Sequence, residues 1–180
     1  MNDKELSKKS KQLSYILRHR PESVGITLNK NGYAIVDELL QAINITLVEL
    51  DEIVETNNKK RFAFNDDKTL IRASQGHSIG VDLKLIPIEP PRFLYHGTAK
   101  VTYEHHIQNK GLLKMNRQHV HLSDNKDTAK NVGGRHGKPI VLIVNSGKMH
   151  TDGHEFFKSA NGVWLTDKVS KKYLEILKNE

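Results

Sequence analysis

Three prolines within five residues, Pro87, Pro90 and Pro91, divide this chain almost at its midpoint, and that division limits the possible folds more than any other feature. Each ring fixes a backbone torsion, removes an amide donor and discourages helix at the preceding residue, so the stretch reads as a stiff extended connector. We therefore read residues 1–86 as one lobe, 87–91 as the connector and 92–180 as a second lobe. Each lobe is long enough to bury one small core.

The charge balance changes at the same place. Residues 1–90 hold 13 Lys/Arg and 13 Asp/Glu, whereas 91–180 hold 15 against 8, so the net +7 lies wholly in the second half, with eight of the ten histidines. Such a field favours polyanionic partners such as nucleic acid or pyrophosphate cofactors. The absence of cysteine excludes disulfides, thiolate zinc sites and a cysteine nucleophile. No apolar run approaches the roughly 20 residues of a membrane span, and the opening residues lack the apolar core of a secretory signal. A cytoplasmic protein with no membrane partner is expected.

In the first lobe Leu6, Leu13, Ile16 and Leu17 recur at helical spacing up to Pro21, which ends the helix. Further helices are expected over 36–43 and 46–54, the latter with Thr46 as N-cap. Arg61-Phe62-Ala63-Phe64 and Thr69-Leu70-Ile71-Arg72-Ala73 flank Asn65-Asp66-Asp67-Lys68, the pattern of a hairpin. Helices followed by a hairpin suggest a winged-helix lobe. The second lobe alternates strand-like pieces at 92–95, 119–122, 140–144 and 162–165 with helical patterns near 100–110, 124–131 and 168–178, an α+β arrangement.

Arginine and histidine gather in three short stretches: Arg18-His19-Arg20, Arg72 followed by Gln75-Gly76-His77-Ser78, and Gly133-Gly134-Arg135-His136-Gly137. Guanidinium and imidazole groups brought to one point make an anion site, and phosphate is the anion they fit best. Taken singly, the first stretch also reads as a helix C-terminus favoured by the macrodipole, the second as a self-satisfied turn, and the third as a loop whose glycines admit a ligand to the backbone. His96-Gly97-Thr98 is expected to end a strand that begins at Phe93, setting an imidazole and a hydroxyl at its terminus. His119, His121 and Ser123 alternate onto one strand face, and His105-His106 reads as a solvated helix face. No P-loop, strand-linked Gly-x-Gly-x-x-Gly, HExxH or Gly-x-Ser-x-Gly occurs, and no third metal ligand accompanies the histidine pair, so no metal is expected.

Seven ordered motifs across nearly the whole chain resemble the NAD⁺-dependent RNA 2′-phosphotransferases, the enzymes that finish tRNA splicing. They are Leu13-Ser14-Tyr15-Ile16-Leu17-Arg18-His19, Lys60-Arg61-Phe62, Ile71-Arg72-Ala73-Ser74-Gln75-Gly76-His77-Ser78, Leu94-Tyr95-His96-Gly97-Thr98, His119-Val120-His121-Leu122-Ser123, Gly134-Arg135-His136-Gly137 and Asn161-Gly162-Val163-Trp164-Leu165-Thr166. The resemblance implies an N-terminal winged-helix lobe and a C-terminal ADP-ribosyltransferase-like lobe with a split sheet. It also implies an RNA partner carrying an internal 2′-phosphate and NAD⁺ consumed as co-substrate. The phosphate is transferred through an ADP-ribosylated RNA intermediate, giving 2′-hydroxyl RNA, nicotinamide and ADP-ribose 1″,2″-cyclic phosphate. Arg18, His19, Arg72 and Arg135 match the family's essential Arg-His-Arg-Arg set. His96, Gly97, Thr98, His121 and Ser123 are the implied NAD⁺ contacts, and a monomer is expected. The chain departs from the family at Gly32-Tyr33, where tryptophan is common, and at Asn145-Ser146-Gly147, where an acidic residue is frequent; neither is expected to belong to the phosphate clamp. Two alternatives stay open: ADP-ribosyl transfer to another acceptor, such as a terminal nucleic-acid phosphate, and a non-enzymatic winged-helix nucleic-acid-binding module.

Overall fold

The computed structural model describes residues 1–178. It is a mixed α/β chain of small antiparallel sheets that divides into two compact units, Met1–Lys84 and Leu85–Glu180.

The first unit begins with α1 (Asp3–Arg18), whose N-terminus is closed by a capping box between Asn2 and Glu5. Its apolar positions bury Leu13, Ile16 and Leu17, and the chain then turns through a 3₁₀ segment at Pro21–Val24. A short strand β1 (Tyr33–Ile35) leads into α2 (Val36–Ile43) and α3 (Leu47–Glu55). Thr46 caps α3 as its sequence position indicates, with Glu49 completing a second capping box. The hairpin forms from β2 (Phe62–Phe64) and β3 (Leu70–Ala73), paired Phe62 with Ala73 and Phe64 with Ile71. β1 adds to the other edge of β3, giving the order β1-β3-β2. Period-2 alternation sends Ile71 and Ala73 into the core with Leu39, Leu50 and Ile53, which leaves Arg72 on the opposite sheet face.

The second unit is built on β4 (Leu94–Ala99) paired with β7 (Pro139–Val144), with β11 (Leu174–Ile176) on the far edge of β7. A helical stretch follows β4: α4 (Lys100–Thr102), a π turn at Tyr103–Ile107 and α5 (Gln108–Lys110). A two-stranded pair joins β5 (Leu112–Leu113) to β10 (Lys168–Val169). The remaining sheet has the order β6-β9-β8, from β6 (Val120–Leu122), β8 (Phe157–Lys158) and β9 (Trp164–Thr166). Helix α6 (Lys126–Gly133) lies on β4, and α7 (Ser146–Thr151) follows β7. Leu94, Leu122, Leu142, Met149, Phe156 and Trp164 form the core.

Two expectations are corrected. The strand expected at 92–95 instead runs from Leu94 to Ala99, so His96-Gly97-Thr98 lies inside β4 and does not end it; β7 supplies ladder partners for all six positions. The helix expected over 168–178 is replaced by β10, a 3₁₀ turn at Lys171–Tyr173 and β11. Its apolar spacing suits a helix, but pairing with Leu112 and with β7 satisfies the backbone instead. The proline-rich segment is hydrogen-bonded in place: the Ile88 amide donates to the Phe156 carbonyl at 2.9 Å, and the Ser146 hydroxyl donates to the Pro91 carbonyl at 2.6 Å.

Candidate functional site

In the first unit the arginine and histidine motifs converge. Arg18 is the last residue of α1 and His19 its C-cap. The turn after β3 comes back to this helix end: the Ser78 amide donates to the Arg18 carbonyl at 3.0 Å, and the Ser78 hydroxyl is hydrogen-bonded to His19 Nδ1 at 2.9 Å. Ser74 anchors the start of that turn, its amide and hydroxyl donating to the carbonyls of Arg61 and Lys60. Arg72, projecting from the outer face of β3, holds its guanidinium 4.6 Å over the ring of Tyr33, its cross-strand neighbour. Arg20, by contrast, is exposed and paired with Glu22, so it stands outside the group.

His77 reports how tightly these charges are gathered. It is fully buried, and neither ring nitrogen has a hydrogen-bond partner among the described residues. Burial is the main cause that pushes its pKa down to about 4, and the positive charges of Arg18, His19 and Arg72 each push it further in the same direction. The ring is therefore neutral at pH 7. Two guanidiniums and the His19 imidazole thus act together on His77. A group of positive charges of this kind is suited to an anion.

The second unit positions its residues by shape. A Cβ on Gly97 would lie 1.6 Å from the Ala129 carbonyl oxygen, and one on Gly133 would lie 2.8 Å from the backbone of Thr98. Only glycine at both positions lets α6 lie directly on β4. The Gly133 that the sequence presents as part of a ligand loop is thereby committed to packing, while Gly134–His136 forms a 3₁₀ turn that carries Arg135. His96, on β4, is hydrogen-bonded through Nδ1 to the His121 carbonyl at 3.0 Å. A carbonyl only accepts, so Nδ1 carries the proton and Nε2 is the ring's acceptor. Burial lowers the His96 pKa, the His121 carbonyl opposes this, and Arg117 adds to it.

His121 lies on β6 between the buried Val120 and Leu122. Arg117 Nη1 donates to His121 Nδ1 at 3.0 Å, which places the His121 ring proton on Nε2 in the neutral form. Ser123 ties β6 to β4 through reciprocal backbone bonds with Tyr95 of 2.7 and 2.8 Å, and its hydroxyl accepts from the Asn125 amide just before α6. His119 instead packs against the ring of Phe157, 5.6 Å between centroids. Arg117 is held below its usual pKa by burial first and then by the charge of Arg135. This brings Arg117, His121 and Arg135 into one basic group.

The structure thus gathers Arg18, His19 and Arg72 in the first unit, and links His96, Gly97, Thr98, His121 and Ser123 in the second, where Arg135 also resides. Sequence reasoning placed His77 and Ser78 within a candidate anion stretch without separate roles, and it assigned none to Arg117. Tyr33 was expected to stand apart from the clamp, yet its ring supports Arg72. Arg117 had a signal in hindsight, a cation two residues before the His119-Val120-His121 alternation.

The chain is similar to known proteins along nearly its whole length. The family model described as "RNA 2'-phosphotransferase, Tpt1 / KptA family" matches residues 4–168. A protein of Flavobacterium johnsoniae named "Probable RNA 2'-phosphotransferase" is 52% identical over 180 residues, covering 97% of this chain and 98% of its own length. Proteins of the same name from Acaryochloris marina and Nostoc punctiforme are 50% and 48% identical, covering 95% and 97% of this chain and 97% and 99% of their own.

Proposed function

The chain belongs to the RNA 2′-phosphotransferase, Tpt1/KptA family, and from that premise we propose that it transfers an internal RNA 2′-phosphate to NAD⁺, consumed as co-substrate. Membership makes it an enzyme acting on an RNA 2′-phosphate, and this removes the reading as a binding module alone. In the first step an oxygen of the 2′-phosphate attacks C1″ of the nicotinamide ribose. The bond to nicotinamide breaks with its electron pair, and RNA is joined to ADP-ribose through the phosphate. In the second step the ribose 2″-hydroxyl attacks phosphorus and the bond to the RNA O2′ breaks. The proton lost by the 2″-hydroxyl is balanced by one gained at O2′, leaving 2′-hydroxyl RNA and ADP-ribose 1″,2″-cyclic phosphate.

Arg18 and Arg72 grip the phosphate in this scheme, with Arg135 contributing from the second unit. Preorganised guanidiniums stabilise the charge gathering on phosphoryl oxygens better than mobile water does, and they supply it without a metal. His19, oriented by Ser78, moves the proton in the second step. On the NAD⁺ side, His96 offers Nε2 as an acceptor for a ribose hydroxyl. Gly97, Thr98, His121 and Ser123 shape the surrounding surface, and the basic group of Arg117 and Arg135 suits a pyrophosphate. The helix–strand–helix–helix–hairpin order supports reading the first unit as a winged-helix lobe, and the small split antiparallel sheets support reading the second as ADP-ribosyltransferase-like. The protein is proposed to act as a monomer in the cytoplasm on spliced tRNA or a similarly marked RNA.

The observation that carries this reading is the return of the turn after β3 to the end of α1, where Ser78 bonds both the Arg18 carbonyl and His19; the charges of Arg18, His19 and Arg72 acting together on the neighbouring buried His77 support it. The test is a short oligonucleotide with one internal 2′-phosphate, incubated with NAD⁺, with all small products identified. Nicotinamide and the cyclic phosphate in equal amounts are expected. Inorganic phosphate without nicotinamide would overturn the role of NAD⁺. A stable ADP-ribosylated product without cyclic phosphate would point instead to another acceptor.

A further inference from the structure

A groove of about 690 Å³ runs along α1 in the first unit and ends at Arg18 and His19. One wall is the flank of α1 carrying Ser10, Lys11, Ser14 and Tyr15; the other is the segment after α3 that carries Lys59 and Arg61. The groove concentrates charge that the lobe as a whole does not have. Its lining holds Lys11, Arg18, Lys59 and Arg61 against a single carboxylate, Asp3, although residues 1–90 are electrically balanced.

The second wall is built to hold its place. Asn57 is buried; its Oδ1 accepts from the amides of Lys59 and Arg61, and its Nδ2 donates to the Ser10 hydroxyl at 2.9 Å, tying this wall to α1. Lys60 has a φ of 42°, a left-handed backbone that a lysine adopts only when its surroundings impose it. Tyr15 is 51% exposed, with its ring centroid 6.2 Å from that of His19. An exposed aromatic beside an anion site, with cations on both walls, has the elements of a single-strand track: stacking surface and backbone neutralisation. From Ser7 to Arg18 the helix rises about 16 Å, the span of four to five stacked nucleotides at about 3.4 Å each.

We propose that this groove binds the RNA strand flanking the 2′-phosphorylated nucleotide, with one base stacked on Tyr15 and backbone phosphates held by Lys11, Lys59 and Arg61. This rests on the reading that Arg18 and His19 receive the 2′-phosphate, and it adds that the enzyme senses several nucleotides beside that mark. Single-stranded or splayed RNA is the matching form, because stacking on Tyr15 needs an unpaired base.

Fluorescence anisotropy with the full chain tests it, using a six-nucleotide and a two-nucleotide RNA, each with and without the 2′-phosphate. The wild type should bind the hexamer at least about 30-fold tighter than the dinucleotide, and Tyr15→Ala and the double variant Lys11→Ala/Lys59→Ala should each shrink that ratio about tenfold. Tyr15→Phe should restore it, since stacking needs only the ring. The double variant should also flatten the dependence of log affinity on log salt by about 1.4, about 0.7 for each lost contact. Equal binding of hexamer and dinucleotide by the wild type, or variants within twofold of it on the hexamer, would overturn the groove. A hexamer bound equally well with and without its 2′-phosphate, yet weakened by the groove variants, would overturn the Arg18 and His19 reading and leave the groove standing.

Discussion

The two units prepare their surfaces by opposite means. In the first, Arg18, His19 and Arg72 all act on a buried neutral imidazole, and the site is made of gathered positive charge. In the second, Gly97 and Gly133 let α6 touch β4, and histidines are fixed by a backbone carbonyl and a guanidinium, so the site is made of close packing. Charge repulsion weakens a fold while preparing it for an anion, whereas close packing stabilises the fold while shaping a surface. The difference predicts that substitutions in the first unit cost activity more than stability, and that the reverse holds around Gly97.

The largest expected effect breaks the charge side. Arg18→Ala or Arg72→Ala should lower turnover of a 2′-phosphorylated oligonucleotide by about 10²–10³-fold, the usual cost of removing one preorganised charge donor. Urea midpoints should stay close to the wild type; a large loss of stability would show that these arginines serve the fold instead. Next comes Gly97→Val, which should cost more than about 3 kcal/mol, because a side chain there meets the Ala129 carbonyl and backbone cannot move aside. Denaturation followed by fluorescence of Trp164, the only tryptophan, measures this in the second unit.

The pH dependence sharpens the comparison from the other direction. With His77 held at about 4 and an unfolded histidine near 6.5, the unfolded chain takes up a proton over an interval in which the folded chain does not. Stability of the first unit is therefore complete above about pH 6.5 and falls as pH drops toward 4, by up to about 3 kcal/mol. His77→Gln should flatten this slope, read as hydrogen-exchange protection of the α1 amides against pH. An unchanged slope would mean another group titrates. The smallest effect belongs to Tyr33: Tyr33→Leu removes the ring beneath Arg72 and should raise KM about two- to fivefold, matching about 0.5–1 kcal/mol for a half-buried cation–π contact, while Tyr33→Trp should retain it.

Much of the first unit was legible because local rules agree with one another there. Period-3.6 apolar spacing, the Thr46 cap and the polar turn at Asn65-Asp66-Asp67-Lys68 each indicate the element that forms. The three-residue β1 was not legible, since it is too short to show alternation and forms only because β3 offers a free edge. In the second unit the final stretch misled: Val169, Tyr173 and Leu174 suit a helix by spacing, but the open edges of β5 and β7 draw this segment into two strands. The candidate residues were legible as types clustered in motifs, while their partners were not. Nothing local in Tyr33, His77 or Arg117 says that they border Arg72, Arg18 and His121.

By itself, the amino-acid order determined the family and most helices, because these depend on neighbours in the chain and on side-chain chemistry. Only the tertiary structure decided that Arg18, His19 and Arg72 share one environment, that Gly97 and Gly133 serve packing, and that a charge-balanced lobe carries a cationic groove. Each of those outcomes depends on distances between residues far apart in sequence, and Coulomb and contact forces act through such distances and not through position along the backbone.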